Sequence, residues 1–509
     1  MRRPLFTTSL TLAVSLGLSG LSWVQPAAGQ TFPETEFETA PVEIGAFRPH
    51  GGGAVRTPTA HGVLRTTEPG STGPVEVCSP IWFTSIGVTW DQPVNGPVAA
   101  RVALSDDGTN FDAPDEVHAV QTETPDPGSA DDRSADLAGG SADNGVWLWT
   151  DGARCMNLGF EVGPGIEMSD VRVMFINTSG SSAGPGTEPE QPDGSFGLPS
   201  AEAWTEQPTI HLRNEWNARP RSNSNQCQPI DYAPAVKAAF VHHTDTPNAY
   251  TKDEVDDILR GIQAYHMNGR GWCDIAYNFL IDKFGRVWEG RDGGITKPVV
   301  SGATQGVNTG SVSVSLIGSH QRARPKAAAM TALKRFLAWR LDIAHVRPNT
   351  KTTLVSSGGD NTKYDPGDVV HLKTISGHRD TGYTDCPGNQ VYKQLDNIRR
   401  AVSNLGKPKM FGPKATPDAI EQGSGDTIRF KADATGVLQW TLEFTKVSDG
   451  SLVRTITAGG NPLSVAWHGN DDASNPAPTG AYDVKITAER ASDGANARPA
   501  TLRVRVTPP

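Results

Sequence analysis

A run of Ser, Gly, Pro and Glu at residues 178–200 divides this chain into pieces that must fold separately. Such a stretch buries too little apolar surface to order itself, so it reads as a flexible linker, with bounds at 178–208. Before it, short strand-like runs alternate with turn residues. After it, apolar strands alternate with segments of helical spacing. At 509 residues the chain exceeds one ordinary hydrophobic core, and about two to four domains are expected. Charged residues make up 20% and hydrophobic ones 37%, a balance of soluble domains rather than of a membrane protein. The net charge of -10 argues against a nucleic-acid binder, which would carry a basic face.

The first residues carry an export signature. Arg2 and Arg3 precede a diluted apolar stretch at 5–24, and Ala27-Ala28-Gly29 is a small-residue cleavage site. Residues 1–29 therefore read as a secretory signal peptide, cut near Gly29. No charged stop-transfer cluster follows, and no other segment is apolar enough to span a bilayer. The mature chain is expected outside the cell, at or near the wall, as a monomer. Thiols tend to pair in that compartment. The five cysteines leave one over. The arithmetic that fits best pairs Cys78 with Cys155 and Cys227 with Cys273. Cys386 then stands alone, as a reactive thiol or a metal-bound thiolate.

The organisation expected is an extended leader at 30–74, a β-sandwich at 75–177, an α/β domain at 209–406 and an Ig-like β-sandwich at 410–509. Within the α/β part, 237–242 and 311–318 read as buried strands, and 275–281 with 286–288 as a hairpin turning at 282–285. Residues 251–268, 326–343 and 391–405 have helical spacing. Thr251 with Glu254 three residues on is a capping-box pattern.

Three motifs of the α/β part converge on one chemistry. His242-His243-Thr244 closes a strand. Ser376-Gly377-His378-Arg379-Asp380 forms a loop after an apolar run. Asp385-Cys386-Pro387-Gly388 puts the leftover cysteine eight residues beyond His378. Two imidazoles and a thiolate make a zinc set that leaves a fourth position for water. Zinc lowers the pKa of that water and polarises a carbonyl.

The same residues sit in a longer pattern: Val241-His242-His243-Thr244, then Gly271-Trp272-Cys273-Asp274-Ile275-Ala276-Tyr277-Asn278-Phe279-Leu280, Trp288-Glu289-Gly290-Arg291, Asn308-Thr309-Gly310-Ser311-Val312, Gly377-His378-Arg379-Asp380 and Thr384-Asp385-Cys386-Pro387-Gly388. This pattern resembles the type-2 N-acetylmuramoyl-L-alanine amidase and peptidoglycan recognition protein family, over about a third of the chain. The resemblance implies a mixed sheet packed with helices and a groove for muramyl peptides. It implies Zn2+ held by His242, His378 and Cys386, with His243 outside the ligand set. Tyr277 matches a tyrosine that positions water or stabilises the transition state, and Thr384 a donor to the developing oxyanion. Trp272, His243, Arg291 and Asn308 are candidates for the groove. Ser315 stands where some relatives carry a catalytic Glu, so no Glu general base is expected. His266 reads as a helix-surface residue.

The expected activity is hydrolysis of the lactyl–L-alanine amide of peptidoglycan. The alternative is a protein that binds peptidoglycan without cutting it. Non-catalytic members of the family lose the cysteine ligand, and this chain keeps Cys386. The flanking parts resemble modules too: the domain at 75–177 one that often precedes such amidases, through its turn at Ser105-Asp106-Asp107-Gly108, and the C-terminal part the Ig-like module of flagellar hook-capping proteins.

Overall fold

The computed structural model describes residues 35–51, 63–91, 98–118, 123–137, 144–178 and 204–509. The expected signal peptide, and residues 179–203 of the expected linker, lie outside the described residues. No helix among the described residues is long and apolar enough to cross a membrane.

The N-terminal domain is built on three long antiparallel strands, Val75–Asp91, Asn144–Val162 and Glu167–Asn177. Two corrections to the sequence reading apply. The segment expected as an extended leader supplies strands: Glu36–Pro41 pairs antiparallel with Glu167–Asn177, Phe47–Pro49 with Gly70–Thr72, and Leu64–Arg65 with Glu167–Asn177. Glu36–Pro41 is an edge strand exposed along nearly its whole length, so no apolar alternation marks it. Its partner Asn177 lies far along the chain, beyond the reach of local pattern. Second, the strands hydrogen-bond into one nine-stranded array instead of two separate sheets. The array closes over a single core that includes Phe47, Phe83, Trp90, Phe160 and Phe175. Cys78 and Cys155 face each other across a strand pair and are disulfide-bonded.

The central domain is a six-stranded mixed sheet, in the spatial order Ile210–His211, Val287–Glu289, Phe279–Ile281, Ser311–Leu316, Ala238–His243, Ile375–Gly377. Ala238–His243 lies between two parallel neighbours and is buried throughout, in keeping with the four apolar residues it opens on. Alternate side chains face opposite layers. Val241, Phe279, Ile281, Val312 and Val314 pack against the helices Ala327–Ile343 and Leu395–Asn404. Leu280 and Trp288 face the helix Val255–Ala264.

The helix expected over 251–268 starts later, at Val255, and its end widens into a π turn over Tyr265–Gly269. Only half of the expected capping box forms: the Glu254 carboxylate accepts from the Thr251 amide at 2.5 Å, but Thr251 does not cap. The region at 391–405 is two helices, Asn389–Tyr392 and Leu395–Asn404.

The first two domains share a core. Trp147, Trp149, Met174 and Ile176 of the N-terminal array pack with Val255, Ile258, Leu259, Ile262 and Tyr265. The fit is flush because glycines stand where side chains would collide. A Cβ on Gly87 would strike the Tyr265 ring, one on Gly145 the Tyr265 hydroxyl, and one on Gly261 would lie 2.8 Å from Trp147 Cζ2. Gly261→Val is expected to cost about 1–3 kcal/mol by overpacking, read as a lower urea midpoint.

The C-terminal domain has a three-stranded and a five-stranded sheet, the architecture of an Ig-like sandwich. Ile428–Ala434 alternates strictly between buried and exposed. Its core gathers Phe430, Trp440, Phe444, Trp467 and Tyr482. The Tyr482 hydroxyl donates to the Pro478 carbonyl, bracing the turn before its own strand. Strands Met410–Thr416 and Ala495–Thr507 complete the sandwich beyond the runs expected. Its join to the central domain includes a buried ion cluster. Asp342, at the end of the Ala327–Ile343 helix, lies 3.7 Å from Lys409 Nζ and 3.1 Å from Arg498 Nε.

Candidate metal centre

Strand alternation decides between the two adjacent histidines. His243 shares a sheet face with Val241, while His242 points to the other layer, towards Tyr277, with ring centroids 5.6 Å apart. The His378 ring lies 4.7 Å from His242. Cys386 Sγ is 3.6 Å from His242 Nδ1. The ligating atoms of His242, His378 and Cys386 all fall within 4.8 Å of one another. His243 turns away: its Nδ1 accepts the His320 amide at 3.1 Å.

These three residues fit a metal ion on the chemistry of their free atoms. His378 Nδ1 is buried and has no hydrogen-bond partner, a cost that a buried polar atom bears only for a reason. With Nδ1 of His242 as the ligating lone pair, Nε2–H donates to Thr304 Oγ1 at 3.1 Å, which orients the ring. Burial, and then the neighbouring imidazoles, push His242 well below the usual histidine range. Burial, and then the nearby His243 ring and Lys363 ammonium, push His378 down to about 3. Both rings are therefore neutral, as ligation requires. Burial pushes the Cys386 thiol well above its ordinary value, while the His243 backbone amide favours the thiolate. A buried thiolate needs a cation beside it.

The loops that carry the ligands are braced from behind. Asp380 accepts from the Gly377 amide at 3.0 Å and from the Tyr392 hydroxyl at 2.5 Å, fixing the turn at His378. The Arg379 amide donates to the Cys386 carbonyl at 2.9 Å, tying the two ligand loops together. Gly388 ends the cysteine loop at a φ of +79°, and a Cβ there would meet the His320 backbone, so the turn needs glycine.

Tyr277 joins the three ligands and is 1% exposed. The Thr384 hydroxyl accepts the Cys386 amide at 2.9 Å and keeps its own proton to donate. Ser315 pairs in register with His242, and its buried hydroxyl has no hydrogen-bond partner. Arg291 and Asn308 lie away from the ligands. The Arg291 guanidinium donates to the Ile275 carbonyl at 3.1 Å and to Asp131. Asn308 Oδ1 accepts from Ser301, Ala303 and Thr304, shaping the loop that carries Thr304. Trp272 stacks under Arg270, 4.6 Å from its guanidinium carbon. Cys227–Cys273 is disulfide-bonded, and Cys386 is the free cysteine.

One residue here differs from the sequence reading, and a second was not singled out by it. His266, expected on a helix surface, is 1% exposed. It accepts the Ala276 amide on Nδ1 at 3.1 Å and meets Glu123 Oε2 with Nε2 at 3.0 Å. The π turn rotates it inward. Glu123, from the N-terminal domain, also accepts from the Tyr277 hydroxyl. Sequence reasoning missed Glu123, since its neighbours Thr124-Pro125-Asp126-Pro127 form no motif with the histidine and tyrosine it meets.

Parts of the chain match known families and proteins. The N-acetylmuramoyl-L-alanine amidase family model matches residues 232–389, and the FlgD Ig-like domain model matches residues 421–492. Peptidoglycan-recognition protein SC2 of Drosophila melanogaster is 30% identical over 187 residues, covering 37% of this chain and 84% of that protein. Peptidoglycan recognition protein 1 of Bos taurus is 30% identical over 186 residues, covering 36% of this chain and 81% of that protein. Among solved structures, peptidoglycan recognition protein-LE in complex with tracheal cytotoxin is 24% identical, with a TM-score of 0.29, over 37% of this chain and 92% of that one.

Proposed function

Because the chain belongs to the type-2 N-acetylmuramoyl-L-alanine amidase and peptidoglycan recognition protein family, we propose that it hydrolyses the amide between the lactyl group of N-acetylmuramic acid and the L-alanine of the stem peptide. The observation that carries this reading is the thiol of Cys386 beside two neutral imidazoles, His242 and His378. Zinc bound there would lower the pKa of water towards neutrality and polarise the scissile carbonyl. The chain's own groups do the rest. Thr304 holds the His242 ring in its ligating orientation. The Thr384 hydroxyl donates to the oxygen that gains charge as the carbonyl turns tetrahedral. The Tyr277 hydroxyl, beside His242, orients the attacking water or shares that charge. The protein acts outside the cell, as a monomer, on muramyl peptides of the wall.

Tyr277→Phe is expected to lower kcat about a hundredfold or more while zinc content stays unchanged. Unchanged kcat would remove Tyr277 from the chemistry. The decisive experiment incubates purified peptidoglycan with the protein, with and without chelator, and identifies the released fragments by mass. Free L-alanine amino termini that vanish with chelator support the amidase. Their absence in both arms, with retained binding to the wall, favours a recognition protein that does not cut.

A further inference from the structure

A site that cleaves a glycopeptide needs an entrance, yet His242, His378, Cys386 and Tyr277 are all at most 2% exposed. Among the described residues, Glu123 of the N-terminal domain covers Tyr277 and His266, one carboxylate oxygen on each. The chain then runs on along the central domain. The Thr124 carbonyl accepts from Asn308 Nδ2 at 3.3 Å, and its hydroxyl from Asn361 Nδ2 at 3.0 Å. The Pro125 carbonyl accepts from Gln305 Nε2 at 3.3 Å. Asp126 accepts from the Gly306 amide at 2.8 Å and from Asn308 Nδ2 at 2.9 Å. Asp131, in the helix Ala130–Leu137, accepts from the Cys273 amide at 2.7 Å and pairs with Arg291. Ala130 packs on the Cys227–Cys273 disulfide and anchors the far end.

Three carboxylates on one short segment thus meet donors of the central domain, at Tyr277 with His266, at Asn308 with its loop, and at Arg291. A stem peptide also presents carboxylates and carbonyls to such donors. We propose that residues 123–132 are a built-in substrate mimic that keeps the full-length protein latent, displaced when a muramyl peptide competes for the same groups. The proposal rests on the reading of this site as an amidase. A carboxylate recruited for the chemistry itself would leave the entrance open. This segment instead occupies the hydroxyl of Tyr277, the amide of Asn308 and the guanidinium of Arg291 together.

The test uses the full chain, Glu123→Ala and Asp126→Ala. Two readouts are taken: the initial rate of peptidoglycan solubilisation, and the rate at which iodoacetamide alkylates Cys386 in metal-stripped protein. Each variant loses a carboxylate that accepts two hydrogen bonds, which shifts the covered–uncovered balance by about tenfold or more. Both variants are therefore expected to solubilise peptidoglycan, and to alkylate Cys386, about tenfold faster than the parent. A near-UV circular dichroism spectrum matching the parent's separates uncovering from unfolding. Asp126 does not touch Tyr277, so its variant reads the cover without disturbing that hydroxyl. Unchanged alkylation in both variants, or lower solubilisation in both, overturns the proposal. Faster alkylation with no solubilisation by any of the three proteins supports the cover and sinks the amidase reading alone.

Discussion

Cys386→Ser is expected to lose bound zinc and to lower the rate of peptidoglycan cleavage by on the order of a thousandfold. The sulfur is 2% exposed and 3.6 Å from His242 Nδ1. Burial opposes its ionisation, so a thiolate here would depend on a cation held with the two imidazoles. Serine keeps the volume nearly unchanged, so the loops at His378 and Cys386 keep their mutual hydrogen bonds. Its hydroxyl, though, gives up a proton far less readily than a thiol. Zinc content per chain and fragment mass spectrometry are the two readouts. A variant with full zinc and full turnover would sink the metal site. A variant that loses both but unfolds at the parent's urea midpoint isolates the ligand role from any role in folding.

Asp342→Ala carries the largest expected cost to stability, about 3–5 kcal/mol. The Asp342 carboxylate is 1% exposed, and Lys409 beside it is fully buried. Removing the acid strands an ammonium with only the Thr205 hydroxyl at 3.0 Å and the Ala338 carbonyl at 3.4 Å. Burial already pushes the Lys409 pKa down, and Asp342 is the main group raising it. Without the acid the amine is expected to shed its proton or drag water inward. Urea unfolding should show the central and C-terminal domains melting apart, where the parent melts them together. Replacing both partners with apolar residues, Asp342→Leu with Lys409→Met, is expected to recover most of the loss. A single variant that loses less than about 1 kcal/mol would mean the pair is hydrated and does not lock the domains.

What could be read from the sequence followed the range of the interactions. The central sheet was legible because Ala238–His243 opens on four apolar residues and Ser311–Leu316 alternates small serines with Val and Leu, and both strands are buried on both faces. The odd cysteine drew attention to Cys386, and resemblance singled out His242 ahead of strand alternation. The strands at 36–72 were not legible, since all are short, and Glu36–Pro41 and Leu64–Arg65 lie against a partner far away in sequence. Glu123 was invisible for the same reason, because nothing near it in the chain announces His266, 143 residues on. His266 itself was misplaced because a helical wheel assumes 3.6 residues per turn, and the π turn at Tyr265–Gly269 breaks that period at the residue concerned.

The glycine contacts between the first two domains bear on how this chain can be reused or rebuilt. Gly87 and Gly145 accept the Tyr265 side chain only from a helix whose own Gly261 clears Trp147. Each surface is cut to the other, so neither domain is an interchangeable part. A chimaera joining this N-terminal domain to a relative's catalytic domain would collide at that seam unless the glycines and the aromatic rings travelled together. The C-terminal sandwich is tied in differently, through the ion cluster at Asp342, the Gly412 amide on the His345 carbonyl and Arg347 over the Phe411 ring, so moving it would mean moving those polar partners with it.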